Sequence, residues 1–245
     1  MAEKDFIAGI RGIIFDYGGT IDSRGTHWSI IIDKAYRNAG IALDPGAFRD
    51  AYIYAERELA RHPHIRPEHN FLDLMRIKIR IELQRLFEEG VLDAATVRNI
   101  NEPVARYCYD FARECADEAR PVIEALSGRY PLVLVSNFYG NISSVLADFD
   151  LLRFFPTIVE SSVVGVRKPD PRIFALGIEA LGMAAENVLI VGDSIGKDII
   201  PAASLGCRTA WVSGPGWDDG GKTPPPPPEG TAELTSLSDL LHILH

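Results

Sequence analysis

Gly12-Ile13-Ile14-Phe15-Asp16-Tyr17-Gly18-Gly19-Thr20-Ile21-Asp22 is the stretch that decides the fold class. A short apolar run rich in β-branched residues reads as a buried strand. A carboxylate follows at once, and two glycines let the backbone turn sharply beneath it. Runs of the same kind recur at residues 132–135, 188–191 and 209–212, each followed by glycine or small polar residues, and a last short strand is predicted at 232–234. Helical patterns lie between the later runs, at 121–126, 142–149, 171–181 and 199–205, with Gly182 and Gly206 placed where helices commonly stop. Strand alternating with helix predicts an α/β protein built on a doubly wound parallel sheet. In such sheets ligands bind beyond the carboxyl ends of the strands, so Asp16 and its counterparts after the other runs are the residues to inspect.

One interval breaks the alternation. From residue 26 to 117 the periodicity is helical throughout, at 27–39, 45–60, 71–89 and 94–116, and Asp44-Pro45 is a capping side chain followed by a first-turn proline. This predicts two units: a core made of residues 1–23 and 117–245, and an inserted α-helical cap over residues 24–116. The apolar cap residues Phe48, Tyr52, Leu72, Met75 and Leu86 read as helix-packing core. The tail from 214 to 230 opens on a cluster of turn formers and carries the proline run 224–228, expected as a stiff surface loop.

The 245 residues hold 25 Lys and Arg against 34 Asp and Glu, a net charge of −9, which argues against a nucleic-acid groove or an anionic membrane surface. With 47% hydrophobic residues the chain can bury a sizeable core. Cys108, Cys115 and Cys207 are too few and too scattered for a disulfide framework or a zinc site, which fits a reduced, cytoplasmic protein. The charged start Met1-Ala2-Glu3-Lys4-Asp5 lacks the apolar run of a signal peptide, and no stretch of about 18 apolar residues is present to span a membrane.

The chemistry sits just past the strands. Asp16 ends the first. Ser136 and Asn137 end the second, offering a hydroxyl, an amide and backbone N–H groups suited to an anion. Lys168 lies beside Pro169, and Gly192-Asp193-Ser194-Ile195-Gly196-Lys197-Asp198 follows the next strand with two carboxylates five positions apart. Each alone is also ordinary turn or capping chemistry. Gathered in one crevice, Asp16, Asp193 and Asp198 would repel one another, and a divalent cation resolves the conflict; hard oxygen ligands favour Mg²⁺. Lys168 and Ser136 would then hold phosphate oxygens, leaving one carboxylate to attack in line.

The ordered set Asp16-x-x-Gly19-Thr20, Ser136, Lys168-Pro169 and Gly192-Asp193-x-x-x-x-Asp198 resembles the haloacid dehalogenase (HAD) superfamily, over residues 12–22 and 120–244, with the helical insertion resembling its α-helical cap. The resemblance implies a hydrolase of small phosphorylated metabolites working through an aspartyl-phosphate. It implies Asp16 as nucleophile, Thr20, Ser136 and Asn137 on the substrate side, Lys168 neutralising the transferred group, and Mg²⁺ held by Asp16, Asp193, Asp198 and the Gly18 carbonyl. Gly18 itself is a departure: family phosphatases place a second Asp there as general acid and base. Dehalogenases and phosphonatases of the superfamily also lack that Asp. The former lack the acidic pair kept here, and the latter need a cap lysine, for which only Lys34 and Lys78 are present in the insertion. A binding module that has lost turnover is the remaining alternative. Asp22, otherwise a hinge-capping carboxylate, and His27 are candidate substitutes for the missing acid.

Two further signals stand outside that frame. Arg61-His62-Pro63-His64-Ile65-Arg66-Pro67-Glu68-His69 offers three histidines that could ligate a transition metal and two arginines that could meet an anionic substrate group, although a plain surface loop is its default reading. Gly192-x-x-x-Gly196-Lys197 is one residue too short between its glycines for a nucleotide P-loop, and Asp198 stands where Ser or Thr is required.

Overall fold

A computed structural model describes residues 9–216 and 225–244. Six parallel strands form one sheet in the order β3-β2-β1-β4-β5-β6, with β1 Gly12–Phe15, β2 Leu132–Ser136, β3 Thr157–Glu160, β4 Val188–Gly192, β5 Arg208–Val212 and β6 Ala232–Leu234. The helices are α1 Trp28–Asn38, α2 Pro45–Arg61, α3 Phe71–Glu88, α4 Ala94–Ser127, α5 Ile142–Asp148, α6 Ser161–Val164, α7 Arg172–Leu181, α8 Ile200–Ser204 and α9 Asp239–Ile243. A single π-helical turn, Ile195–Ile199, joins β4 to α8.

The period-two pattern of the strands separates two cores. Ile13 and Phe15 turn to the larger one, with Leu132, Leu134, Leu189 and Val191. Ile14 turns to the smaller, with Val133, Val135, Ile190 and the α7 residues Ile173 and Phe174. Every residue of β1, β2 and β4 is buried, as expected for central parallel strands covered on both faces. Gly177 lets α7 lie close on the sheet: a Cβ there would fall 2.8 Å from Val135 Cγ2 and 2.9 Å from Ile14 Cδ1.

The chain runs outward from β1 to β2 and β3, then crosses back to β4 on the other side. The strand order therefore reverses beside β1, and the crevice at the strand ends opens there. β3 is a strand the sequence reading passed over. It is four residues long, half-buried and at the sheet edge, so its only mark is the β-branched run Thr157-Ile158-Val159.

Between β1 and β2 all the elements are helices, as the periodicity predicts. Asp44 caps α2 by accepting from Gly46 N at 2.9 Å and Ala47 N at 3.1 Å, with Pro45 in the first turn. Asn70 and Asp73 form a reciprocal capping box on α3. One expectation differs: residues 94–116 and 121–126 are not two helices but the single 34-residue α4, which contains Pro103 and Pro121. Each internal proline removes a backbone hydrogen bond and costs about 3 kcal/mol. The buried stripe Val104, Cys108, Ala112, Cys115, Ala119, Val122 and Leu126 runs unbroken past Pro121 at helical spacing, and burying it against α1 and α3 offsets that cost. The boundary expected at residue 117 thus falls inside a helix. Of the tail, residues 217–224 lie outside the described residues, among them the start of the proline run. Among the described residues no helix is long and apolar enough to cross a membrane.

One carboxylate is enclosed by these helices. Glu82 on α3 is fully buried; its Oε2 accepts from Tyr36 OH at 3.1 Å, and its Oε1 has no hydrogen-bond partner. Burial raises its pKa from 4.5 to about 7, with Lys78 and Tyr36 opposing and Glu56 adding to the shift. A raised folded-state pKa gives stability that is fully present below about 4.5 and is lost as pH rises through about 7. Glu82→Gln keeps the acceptor and cannot ionise. Denaturant unfolding of both forms from pH 4.5 to 8 is expected to show the variant gaining on the parent by up to about 3 kcal/mol, all of it within that window.

Candidate active site

Asp16, directly after β1, is 5% exposed and makes two side-chain contacts at the crevice floor. Its Oδ2 accepts from Thr20 Oγ1 at 3.0 Å, and its Oδ1 lies 2.5 Å from Lys168 Nζ. The same Nζ is 2.7 Å from Asp198 Oδ1, so one ammonium bridges two carboxylates. Lys168 is itself fixed through its backbone. Asn137, just past β2, accepts from Lys168 N at 2.9 Å and donates from Nδ2 to Lys168 O at 3.1 Å, fastening the lysine loop to the end of the second strand. Asn137 thus positions the lysine through the backbone of its loop. Both Asn137 and the buried Ser136 line the crevice.

The β4 end supplies the other two carboxylates. Ser194 N donates to Asp198 Oδ2 at 3.0 Å, and Trp211 Nε1 donates to the backbone carbonyl of Asp193 at 2.8 Å. Two glycines make room for this pair. A Cβ on Gly19, whose φ is +95°, would sit 2.3 Å from the Asp193 carboxylate, and a Cβ on Gly192 would sit 2.5 Å from Asp198 Cβ. The oxygens of Asp16, Asp193 and Asp198 gather within 4.8 Å of one another.

Three carboxylates against one ammonium leave two negative charges uncompensated. Burial, with Asp198 adding and Lys168 opposing, lifts the Asp16 pKa to about 6; burial and then Asp198 and Asp16 lift that of Asp193 well above the usual range. Burial works against the Lys168 ammonium, and Asp16 and Asp198 more than offset it, raising it to about 12. A crevice lined by hard oxygen donors and two charges too negative fits a divalent cation of the Mg²⁺ type.

Thr20, Ser136, Lys168, Asp193 and Asp198 therefore come together around Asp16. Tyr17 does not: its ring is fully buried, edge-on to Phe138 with centroids 5.6 Å apart. Asp22 borders the crevice, but both of its oxygens are engaged, accepting from Gly19 N at 2.7 Å and Trp28 Nε1 at 3.1 Å; this ties the glycine turn to the start of α1. At Gly18 an added Cβ would meet nothing within 4 Å.

Above the carboxylates the crevice opens into a cavity of about 1390 Å³ whose far wall comes from α2 and α3. Lys78 is ion-paired with Glu56 there and stands 4.4 Å from the centroid of the Tyr52 ring, while Tyr139 OH, from the loop after β2, donates to Glu56 Oε2 at 3.0 Å. Sequence reasoning missed this group, because Glu56 and Tyr139 are 83 positions apart and neither belongs to a motif. Lys34 is exposed on α1, so Lys78 is the cap-region lysine that reaches the cavity. His27 also lines it; burial and then the nearby Lys197 lower its pKa to about 4, which keeps the imidazole neutral.

A parallel doubly wound sheet with a lysine-bridged carboxylate cluster at its switch point defines an α/β protein with a charged crevice at its strand ends. Residues 10–206 match the model of the haloacid dehalogenase-like hydrolases, and the chain belongs to that family. The human haloacid dehalogenase-like hydrolase domain-containing protein 3 is 27% identical over 186 residues, 73% of this chain and 72% of that protein. Phosphoserine phosphatase of Thermus thermophilus is 40% identical over 62 residues, a quarter of either chain. The matches to several curated relatives are partial, spanning 31% of the zebrafish (Danio rerio) haloacid dehalogenase-like hydrolase domain-containing protein 3. Among solved structures, the Bacillus subtilis HAD-hydrolase YfnB bound to magnesium is 25% identical, with a TM-score of 0.50 over 96% of this chain and 99% of that one. A dehalogenase solved with an intermediate shares the fold at 17% identity, with a TM-score of 0.61 over 96% and 97% of the two chains.

Gly19→Ala puts a methyl group into the space of the Asp193 carboxylate and strains a left-handed backbone. Isothermal titration with Mg²⁺ is expected to show affinity reduced at least about ten-fold, with the fold retained by circular dichroism.

Proposed function

We propose that the protein is a Mg²⁺-dependent phosphatase of a small phosphorylated metabolite, with Asp16 as its nucleophile. The observation that carries this reading is the Lys168 ammonium set between Asp16 and Asp198 at the floor of a cavity large enough for a small substrate. Asp16, Asp193 and Asp198, with the Gly18 carbonyl, would hold the metal. When bound, Mg²⁺ supplies charge neutralisation for a phosphoryl group beside an anionic nucleophile.

In this reading Lys168, Thr20 and Ser136 bind and orient the phosphoryl oxygens. Asp16 attacks phosphorus in line, forming an acyl-phosphate bond as the ester P–O bond breaks and the alcohol departs, its oxygen taking a proton from water; a second water then attacks phosphorus, releasing inorganic phosphate and restoring the carboxylate. Residues 24–116 act as a cap over the site. Glu56, Lys78, Tyr52 and Tyr139 then face the leaving group, and the cap keeps bulk water from the intermediate. The phosphatases among the relatives support the reaction class, as does the bound magnesium of YfnB. The Lys78–Glu56 pair disfavours a phosphonatase, because a paired ammonium is a poor imine-forming amine. Three buried free thiols agree with a cytoplasmic protein, and the acidic charge with a partner that is neither nucleic acid nor membrane.

Phosphate release from an aryl phosphate and a panel of sugar phosphates, with and without Mg²⁺, tests the proposal. Metal-dependent release, reduced at least about a thousand-fold in Asp16→Asn, is expected. Silence on every ester would turn the reading to a phosphate-binding module. The open space at Gly18 gives a sharper test: an added Cβ meets nothing within 4 Å, so Gly18→Asp supplies a carboxyl two residues after the nucleophile. It is expected to raise the ratio of sugar-phosphate to aryl-phosphate turnover about ten-fold or more, because aryl groups leave without protonation.

A further inference from the structure

We propose a second metal site, distinct from the carboxylate crevice, in which Glu58, His62 and His64 hold a divalent transition ion of the Zn²⁺ class at the rim of the cavity. Glu58 lies on the last turn of α2, and His62 follows four residues later as the residue that ends the helix. His62 Nδ1 and His64 Nε2 converge on the same oxygen, Glu58 Oε1, at 3.0 and 2.9 Å, and the three candidate ligand atoms lie within 4.8 Å of one another. In a tetrahedral site with N and O ligands near 2.0–2.1 Å, ligand atoms stand roughly 3.3 Å apart. The two legs to Glu58 have to lengthen by only a few tenths of an ångström to admit an ion.

The backbone presets that arrangement. His62 N donates to Glu58 O at 3.0 Å, closing the helix, and His64 N donates to His62 O at 2.9 Å across Pro63, whose ring fixes φ. The segment beyond is anchored: Ile65 is buried, Ser144 Oγ donates to Pro67 O at 2.6 Å, and Asn141 Nδ2 donates to His69 O at 2.9 Å. What reads in the sequence as a proline-broken surface loop is therefore held at both ends, with two imidazoles aimed at one carboxylate. The third histidine of the stretch, His69, takes no part, as its Nδ1 accepts from Arg66 N.

The donor set selects the ion. Two imidazoles and a carboxylate suit Zn²⁺, Co²⁺ or Ni²⁺, whereas Mg²⁺ prefers oxygen ligands and water, so the two sites sort different metals. Three protein ligands leave a position for water or for an anionic group, and His62 and Pro63 border the cavity into which a substrate would enter.

The test uses the untagged full chain in millimolar Mg²⁺, titrated with Zn²⁺ by calorimetry and with Co²⁺ by visible absorption. One equivalent of Zn²⁺ is expected to bind, with affinity reduced at least ten-fold in His64→Ala and in Glu58→Gln. The intense Co²⁺ bands of low coordination number are expected in the parent and absent from the His62→Ala/His64→Ala double variant. Asp193→Asn is expected to keep both signals. Thermal unfolding of each variant checks that it folds. The proposal is overturned if Zn²⁺ does not bind, if binding survives in the double variant, or if Asp193→Asn abolishes it, which would place the ion at the carboxylates. Since none of these readouts depends on turnover, the site stands or falls apart from the phosphatase reading.

Discussion

Concentrating negative charge at the carboxyl end of a parallel sheet is the constraint on which this protein is organised. Asp16, Asp193 and Asp198 are drawn into one crevice by strands that must be neighbours for other reasons, namely the burial of Ile13, Ile14, Leu189 and Ile190 between layers of helices. Packing thus imposes an electrostatic conflict that packing cannot relieve. The Lys168 ammonium removes part of it, and the remainder is the charge that the proposed metal would neutralise. Gly19 and Gly192 belong to the same constraint, since any side chain at either would push a carboxylate out of the cluster.

Much of this was legible in the sequence because it is local. A strand whose last residue precedes a carboxylate, and a carboxylate pair after another strand, are patterns read within a dozen positions. Asp16, Ser136 and the Asp193–Asp198 pair could be placed after strand ends without knowing the sheet order, and Lys168 was marked by the Lys168-Pro169 pair. What escaped was either weakly marked or remote. β3 is a short edge strand with one face partly exposed, so its hydrophobic pattern is faint. The continuity of α4 was hidden by Pro121, a residue that locally announces a helix start and whose cost is overridden only by burial visible in three dimensions. The hold of Asn137 on the Lys168 backbone was also out of reach, because it joins residues 31 positions apart. Asp22 was left open between acid and hinge cap, and the two donors that occupy it favour the cap.

The cavity wall shows the same division. The residues facing Asp16 come from motifs, whereas those on the opposite side, Glu56, Lys78 and Tyr139, come from three separate elements and are joined only by folding. The carboxylate floor is written in short patterns, and the facing wall in contacts between distant elements.

The two passages of the chain between sheet and helical layer differ in kind. On the outward one, Gly25 meets Gly214 so closely that a Cβ on Gly214 would fall 2.5 Å from the Gly25 backbone, and His27 N donates to Pro215 O at 2.9 Å. On the return, α4 runs without a break into the turn before β2. A body joined to its base by one thin crossing and one continuous rod has a pivot and a strut, not two equal hinges. The rod lacks ladder bonds at Pro103 and Pro121, so any bending along it concentrates at those two positions.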